Sequence, residues 1–260
     1  MYIKPYDELT IQDNFIFQKV MRNKRICKQT IERLLDIDIK DISYPEEEKS
    51  INVRLDSKSI RLDVYVNDDR GTVFNIEMQT TKDMDELVKR TRYYQGLIDI
   101  DNIEKGQNYS ALHDTYIIFI CTFGVFTGKR HKYTFRNLCI EDNEILLNDG
   151  TTKLFLSTKG EANDVSKPLK MFLDYVDGKK PEDALMQEID HEVDTVKHCD
   201  EWRRDYMTLA LEMDKKWREG KAEGKIEAIR NAIKDGLTTL AAVKKSGRYT
   251  EEEIAAIAAP

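Results

Sequence analysis

The stretch IRLDVYVNDDRGTVFNIEMQ, from Ile60 to Gln79, decides how the rest of the chain is read. Its apolar residues recur at every second position, with Ile60, Leu62, Val64 and Val66 before a turn and Phe74, Ile76 and Met78 after it. Period two puts such residues on one face of a strand. The intervening Asn67-Asp68-Asp69-Arg70-Gly71 is built from turn formers. The spacing therefore predicts a β-hairpin. A turn centred on Arg70 sets residue 65 opposite 75, 66 opposite 74 and 67 opposite 73, which brings Asp63 opposite Glu77. Directly cross-strand residues have Cβ atoms roughly 4.5–5.5 Å apart. Gln79 shares the face of Glu77. One face thus gathers two carboxylates and an amide, while the other carries Leu62, Val64, Phe74, Ile76 and Met78.

Facing carboxylates repel, so one must hold a proton or a cation must join them. Mg²⁺ prefers oxygen ligands and is commonly held by one or two carboxylates together with substrate phosphate. Such an ion makes water a better nucleophile at phosphorus. The pattern therefore suits metal-assisted phosphodiester hydrolysis. The plainer reading is a solvated strand face on which Arg61 pairs with one of the acids, and a one-residue bulge would undo the pairing altogether. The spacing leaves both open.

Outward from the hairpin, residues 9–36 carry Leu9, Phe15, Phe17, Val20, Met21, Ile26 and Leu34 at helical spacing, which predicts one helix. Pro45 and the acid run Glu46–Glu48 predict a loop, with a short strand at Ile42–Tyr44 before it. Residues 83–105 return to helical period through Leu87, Tyr94, Leu97 and Ile98, with Lys89, Arg90 and Arg92 on the polar side. The run from Tyr116 to Cys121 is apolar on both faces and fits a central strand covered twice. Two further strands are expected over 131–139 and 153–158. This order makes a mixed α/β layer of about the first 160 residues. Beyond 165 the chain reads as helical. Its apolar patches are Leu169/Phe172/Leu173/Val176, Met186/Ile189/Val193/Val196 and Trp202/Tyr206/Leu209/Met213/Trp217. Gly220 and Gly224 interrupt the helical pattern, and Thr250 with Glu253 has capping-box spacing before a last short helix.

Composition excludes several classes. Of the 260 residues, 40% are hydrophobic, enough for a buried core. The longest apolar run, Tyr116 to Cys121, is far too short to cross a membrane. The opening MYIKPYDELT has no hydrophobic signal core, and the four dispersed cysteines read as reduced thiols, so a cytoplasmic protein is expected. A net charge of -7 argues against a polybasic nucleic-acid coat.

The segment RLDVYVNDDRGTVFNIEMQTTKDMDELVKRTRYYQGLID resembles the PD-(D/E)XK nuclease superfamily and, more narrowly, the bacterial recombination-promoting nuclease and transposase family. In that pattern an Asp opens one strand and an acid-x-Lys or acid-x-Gln follows on the next. Asp63 matches the Asp, Glu77 the second acid, and Gln79 occupies the Lys position. The likeness runs from LTIQDNFIFQKVM through YIIFICTFGVF to the helical tail. It implies an α/β, restriction-endonuclease-like core of order αβββαβ, with a mixed sheet and a C-terminal helical extension. The implied division is a nuclease-like domain over 1–164, a helical extension over 165–236 and a small helical hairpin over 237–260.

The resemblance also implies a Mg²⁺-dependent (or Mn²⁺-dependent) DNA endonuclease linked to recombination or mobile elements. Asp63 and Glu77 would be metal ligands, and Asp63, Glu77 and Gln79 catalytic. Some superfamily members carry another acid on the first helix, a position Asp13 matches loosely; Asp13 reads equally as a capping acid. Gln79 lacks the positive charge of a lysine, although its amide can orient water. That gap, with the acidic balance, supports an alternative: a weak or inactive nuclease-like module that binds DNA or a protein partner.

For DNA contacts the candidates are Arg90, Arg92 and Tyr94 on the helix after the hairpin, and Lys129, Arg130 and Lys132, which lie in a run free of acids. A solvated basic face and a charged hairpin tip are the plainer readings. His191, His198 and Cys199 lack the ligand cluster of a zinc site. Trp202 and Trp217 are expected to anchor helix packing. The last helix, EEEIAAIAAP, is too acidic for a DNA reader, and the helical tail is expected to support homo-oligomerisation.

Overall fold

The computed structural model describes residues 3–44, 50–51 and 60–259. The expected loop at Glu46–Glu48 lies outside them, as does the side chain of Arg61. The chain divides into two compact units, Asp7–Cys199 and a second that joins Asp200–Pro260 to Met1–Tyr6. The boundary thus falls after Cys199 and not at 164. The reason is that the two helices over 167–176 and 184–197 bury their apolar stripes within the first unit.

Among the described residues that unit contains a six-stranded mixed sheet with strand order β1-β4-β5-β6-β8-β7. Its strands are β1 (Ile42–Ser43), β4 (Val64–Asp68), β5 (Val73–Gln79), β6 (Thr115–Cys121), β7 (Lys132–Phe135) and β8 (Thr151–Ser157). A two-stranded ribbon pairs β2 (Ser50–Ile51) with β3 (Ile60–Arg61). The hairpin β4–β5 has the expected antiparallel register: Val64 faces Ile76, Tyr65 faces Asn75, Val66 faces Phe74 and Asn67 faces Val73. Gly71 makes the turn possible, since its φ of +83° is costly for any residue with a Cβ. β5, β6 and β8 run parallel, and β1 and β7 close the two edges antiparallel.

The central strand β6 is buried on both faces, from Ile117 through Cys121. One face is covered by α3 (Met84–Asn102), whose Leu87, Tyr94, Leu97 and Ile98 form a cluster with Tyr65, Val73, Ile117, Phe119 and Phe155. Leu62, expected on the opposite face, joins this cluster because the chain bends at Asp63. Helix α1 (Asn14–Val20) packs on β5 through buried Ile16, Phe17 and Val20. α5 (Ala184–Lys197) packs against it, and α2 (Lys24–Leu35) and α4 (Lys167–Val176) pack on α5 and on each other. The patches read at Leu169/Phe172/Leu173/Val176 and Met186/Ile189/Val193/Val196 are all buried.

The single helix expected over 9–36 is two helices. Residues 21–23 break it, and the Asn23 side chain accepts a hydrogen bond from the Ile26 N–H, capping α2. A capping amide satisfies donors that a continuous helix would bond itself, so the break is locally stable. At the other end of α2, Lys132 Nζ donates to the Leu34 carbonyl at 3.1 Å.

In the second unit α6 (Asp200–Lys234) runs unbroken through Gly220 and Gly224. Single glycines weaken a helix by about 1 kcal/mol each and do not end it. None of its residues is fully buried. Trp217, expected to anchor packing, is 43% exposed, with Lys221 Nζ over its ring. The Tyr206 hydroxyl donates to the Lys4 carbonyl, and its ring lies 5.6 Å from that of Tyr6. α8 (Glu251–Ala258) opens on the capping box of Thr250 and Glu253 and is tied to α6 by a Lys225–Glu253 ion pair at 2.9 Å. α7 (Leu240–Lys245) links the two.

Phe74 is fully buried on the α1 side of β5 and stacks on Tyr116 with centroids 5.4 Å apart. Phe74→Ala should cost about 3–5 kcal/mol of unfolding free energy in urea titration, the range for emptying a buried aromatic site. A loss under about 1 kcal/mol would place Phe74 outside the core.

Candidate active site

The hairpin register carries Asp63 to the mouth of the sheet, one residue before β4, beside Glu77 near the end of β5. The backbone then ties the two carboxylates together. The Asp63 N–H donates to Glu77 Oε1 and the Met78 N–H donates to Asp63 Oδ2, both at 3.1 Å. Asp63 Oδ1 accepts from Gln18 Nε2 of α1 at 2.8 Å. Glu77 Oε2 accepts from Arg90 Nη2 of α3 at 3.0 Å. All four carboxylate oxygens are thereby oriented by donors from β5, α1, α3 and the bend.

Glu77 is only 2% exposed. Along its row of the sheet its neighbours are Phe119, then Phe155, then Tyr133. Phe119 and Phe155 stack with centroids 5.5 Å apart. Burial against this wall, and then the Asp63 carboxylate, push the Glu77 carboxyl well above its usual range. The Asp63 N–H, Arg90 and Asn75 pull the other way without cancelling the rise. Asn75 is fully buried, and its amide makes no well-formed hydrogen bond among the described residues, so its help is that of a nearby dipole.

Gln79, at the exit of β5, accepts from Arg90 Nη1 at 3.0 Å. Arg90 also donates to the Tyr94 hydroxyl from Nε at 3.2 Å and from Nη2 at 2.7 Å. The helical i, i+4 spacing of Arg90 and Tyr94 makes this contact. Tyr94 is buried, and burial followed by the charge of Glu77 pushes its hydroxyl up to about 12.

The fold thus brings together Asp63, Glu77, Gln79, Arg90 and Tyr94. Asp13 sits elsewhere on α1, at the N-cap position, where its carboxylate accepts from the Thr10 N–H at 2.7 Å and the Thr10 hydroxyl at 3.2 Å. Asp13 precedes Gln18 by five residues, about 7.5 Å of helical rise. The α1 side chain bonded to Asp63 is therefore Gln18. In the sequence it stands only as a polar residue beside Lys19, between the apolar Phe17 and Val20. Arg92 is exposed on α3. Lys129, Arg130 and Lys132 lie at the start of β7, which pairs Lys132 with Leu156 near the end of β8. That is the end of the sheet at which Gln79 leaves β5. Their acid-free run is offset in space, because Lys129 meets Glu161 at 2.8 Å and Arg130 lies 3.9 Å from Asp164.

The donor set fits a hard divalent cation. Two carboxylates sit side by side, Glu77 carries an electrostatic cost for its charge, and the buried amide of Asn75 lacks a partner among the described residues. No group of three His, Cys, Asp or Glu gathers among the described residues. A cation between Asp63 and Glu77 would therefore take its remaining ligands from water and substrate, as Mg²⁺ readily does.

Residues 14–159, more than half of the chain, match the family model described as PD-(D/E)XK nuclease family transposase. No curated protein and no solved structure matches the chain.

The raised Glu77 carboxyl has a consequence for stability without metal. The folded state holds the Glu77 proton more tightly than the unfolded chain, so its contribution falls as pH rises from about 4.5. In EDTA, Glu77→Gln should therefore melt above wild type at pH 8 and lose less between pH 5 and 8. Equal slopes would refute the assignment. Mg²⁺ at a hundred times its Kd should stabilise wild type by about 2.7 kcal/mol and leave Asp63→Ala unchanged.

Proposed function

The chain belongs to the PD-(D/E)XK nuclease family transposases, and on that premise we propose that it is a Mg²⁺- or Mn²⁺-dependent DNA endonuclease acting in recombination or mobile-element movement. The observation that carries this reading is the Asp63–Glu77 pair. The Glu77 carboxylate is locked by the Asp63 N–H and the Asp63 carboxylate by the Met78 N–H, each at 3.1 Å, beside a buried apolar wall. Such a pair is costly to hold and is useful when a cation and a phosphate complete it.

Asp63 and Glu77 would hold the cation. Bound there, it supplies Lewis acidity toward the phosphodiester and a more acidic attacking water. The protein's part is orientation. Gln18 and the Met78 N–H fix the plane of the Asp63 carboxylate, while the Asp63 N–H and Arg90 fix that of Glu77. No rearrangement of these oxygens is then required during the reaction, which is where preorganised sites gain most of their advantage. Phe119 and Phe155 keep water from the inner side, so charges in the site interact more strongly than in solvent.

For DNA docking the reading uses Arg92, Lys129, Arg130 and Lys132. Glu161 and Asp164 share two of these cations, which supports modest, salt-sensitive binding confined to one end of the sheet. Exposed Met207, Leu211, Met213 and Trp217 on α6 support homo-oligomerisation through the C-terminal helices. Among the described residues no helix is long and apolar enough to cross a membrane. A cytoplasmic site of action belongs to the same reading.

Purified protein should nick or linearise supercoiled plasmid in Mg²⁺ and stop in EDTA. Asp63→Ala and Glu77→Ala should each slow cleavage by at least about 10²–10³-fold, the scale of losing one preorganised group. Variants that cut at the wild-type rate would remove these residues from the site.

A further inference from the structure

Glu77 and Gln79 project side by side from β5, and one guanidinium serves both. Arg90 Nη2 donates to Glu77 Oε2 and Nη1 to Gln79 Oε1, each at 3.0 Å. Nε and the second Nη2 hydrogen go to the Tyr94 hydroxyl. The guanidinium carbon lies 5.1 Å from the centroid of Tyr94 and 5.4 Å from that of Phe119. A guanidinium carries five N–H groups. Among the described residues these contacts engage four and leave one, on the Nη1 that holds Gln79. The side chain keeps 26% exposure, so a substrate can reach it.

This arrangement is unlike that of an arginine that docks duplex DNA. A docking arginine offers its fork to a phosphate, two N–H groups at a time. Arg90 has its fork filled by protein, its plane held by two rings, and its charge set against the carboxylates. A fixed cation of this kind matters most where negative charge develops during reaction. In-line hydrolysis develops it on the phosphoryl oxygens.

We propose that Arg90 is the catalytic cation of this site, contacting the phosphate under attack through its remaining Nη1–H. Gln79 is then a positioning residue that acts through Arg90. The proposal rests on the nuclease reading above. In the step, water forms a new bond to phosphorus while the bond to the leaving sugar oxygen breaks. One proton of the water ends on that oxygen, and the other stays with the new phosphate group. Arg90 keeps its own protons throughout and offsets the extra charge between. The neutral amide at 79 follows directly, since Arg90 needs an acceptor there and a lysine would place a second cation against it.

The test uses the full chain with Arg90→Met, Arg90→Lys, Gln79→Lys and the double variant Gln79→Lys/Arg90→Met. Each is read by plasmid nicking in Mg²⁺, by DNA affinity in Ca²⁺ and by Mn²⁺ titration calorimetry. Arg90→Met should lose about 10²–10³-fold in rate. Its DNA affinity should move by less than about threefold, well below the tenfold that one broken charged contact produces, and Mn²⁺ should still bind, which separates a lost catalytic cation from a lost metal site. Gln79→Lys should also slow cleavage. The double variant should recover at least about tenfold over Arg90→Met, because a charge returns to the same place. Arg90→Lys, which keeps the charge, should fall between wild type and Arg90→Met, and it carries the test if Arg90→Met fails to fold.

Four results would overturn the proposal while leaving the nuclease reading intact, provided that wild type cuts. These are Arg90→Met cutting at the wild-type rate, a loss of DNA affinity in step with the rate, Gln79→Lys cutting faster than wild type, or no recovery in the double variant. A wild type that cuts no DNA with either Mg²⁺ or Mn²⁺ overturns the nuclease reading and this proposal with it.

Discussion

A buried carboxylate, Glu77, held against the half-buried carboxylate of Asp63 is the constraint on which the rest of this structure turns. Burial and the nearby Asp63 charge both oppose the charged form of Glu77. The fold keeps the two carboxylates there by surrounding them with donors from four places: the bend at Asp63, the Met78 amide, Gln18 of α1 and Arg90 of α3. Each helix packed on the hairpin delivers one side chain to one carboxylate. The helical layers are thus part of the site as well as its cover.

The topology explains why this happens at one end of the sheet. β5, β6 and β8 are parallel, so their C-terminal ends coincide, and α3 begins five residues after β5 ends. A helix that starts there and returns over the sheet lays its second and third turns above Glu77 and Gln79. Arg90 and Tyr94 lie on those turns. The aromatic row Phe119, Phe155 and Tyr133 continues from Glu77 across the sheet and supplies the low-dielectric side of the site.

The net charge of -7 has a narrower meaning than it first has. Two of the acids are in the candidate metal site, where a bound cation reverses their local sign. Conversely, the basic run at Lys129–Lys132 is less free than it looks in one dimension. Glu161 and Asp164 meet two of its cations, and the Leu34 carbonyl takes the third. Overall charge and local runs of charge both mislead unless the partners in space are known.

The hairpin, its register, the doubly covered strand β6 and the pairing of Asp63 with Glu77 were legible in the sequence. They follow from period-two alternation around a turn, a local rule that one segment can obey alone. The capping box at Thr250 was legible for the same reason. Legibility failed wherever the answer depended on a distant partner or on a balance of small terms. The break between α1 and α2 turned on one capping amide, the continuity of α6 on two glycines too weak to stop it, and the face of Leu62 on a bend. The parts played by Gln18 and Arg90 were hidden most deeply. The sequence by itself determined which carboxylates meet. Only the tertiary structure decided what surrounds them, because the amide and the guanidinium that orient them come from helices whose approach is set by packing across the sheet.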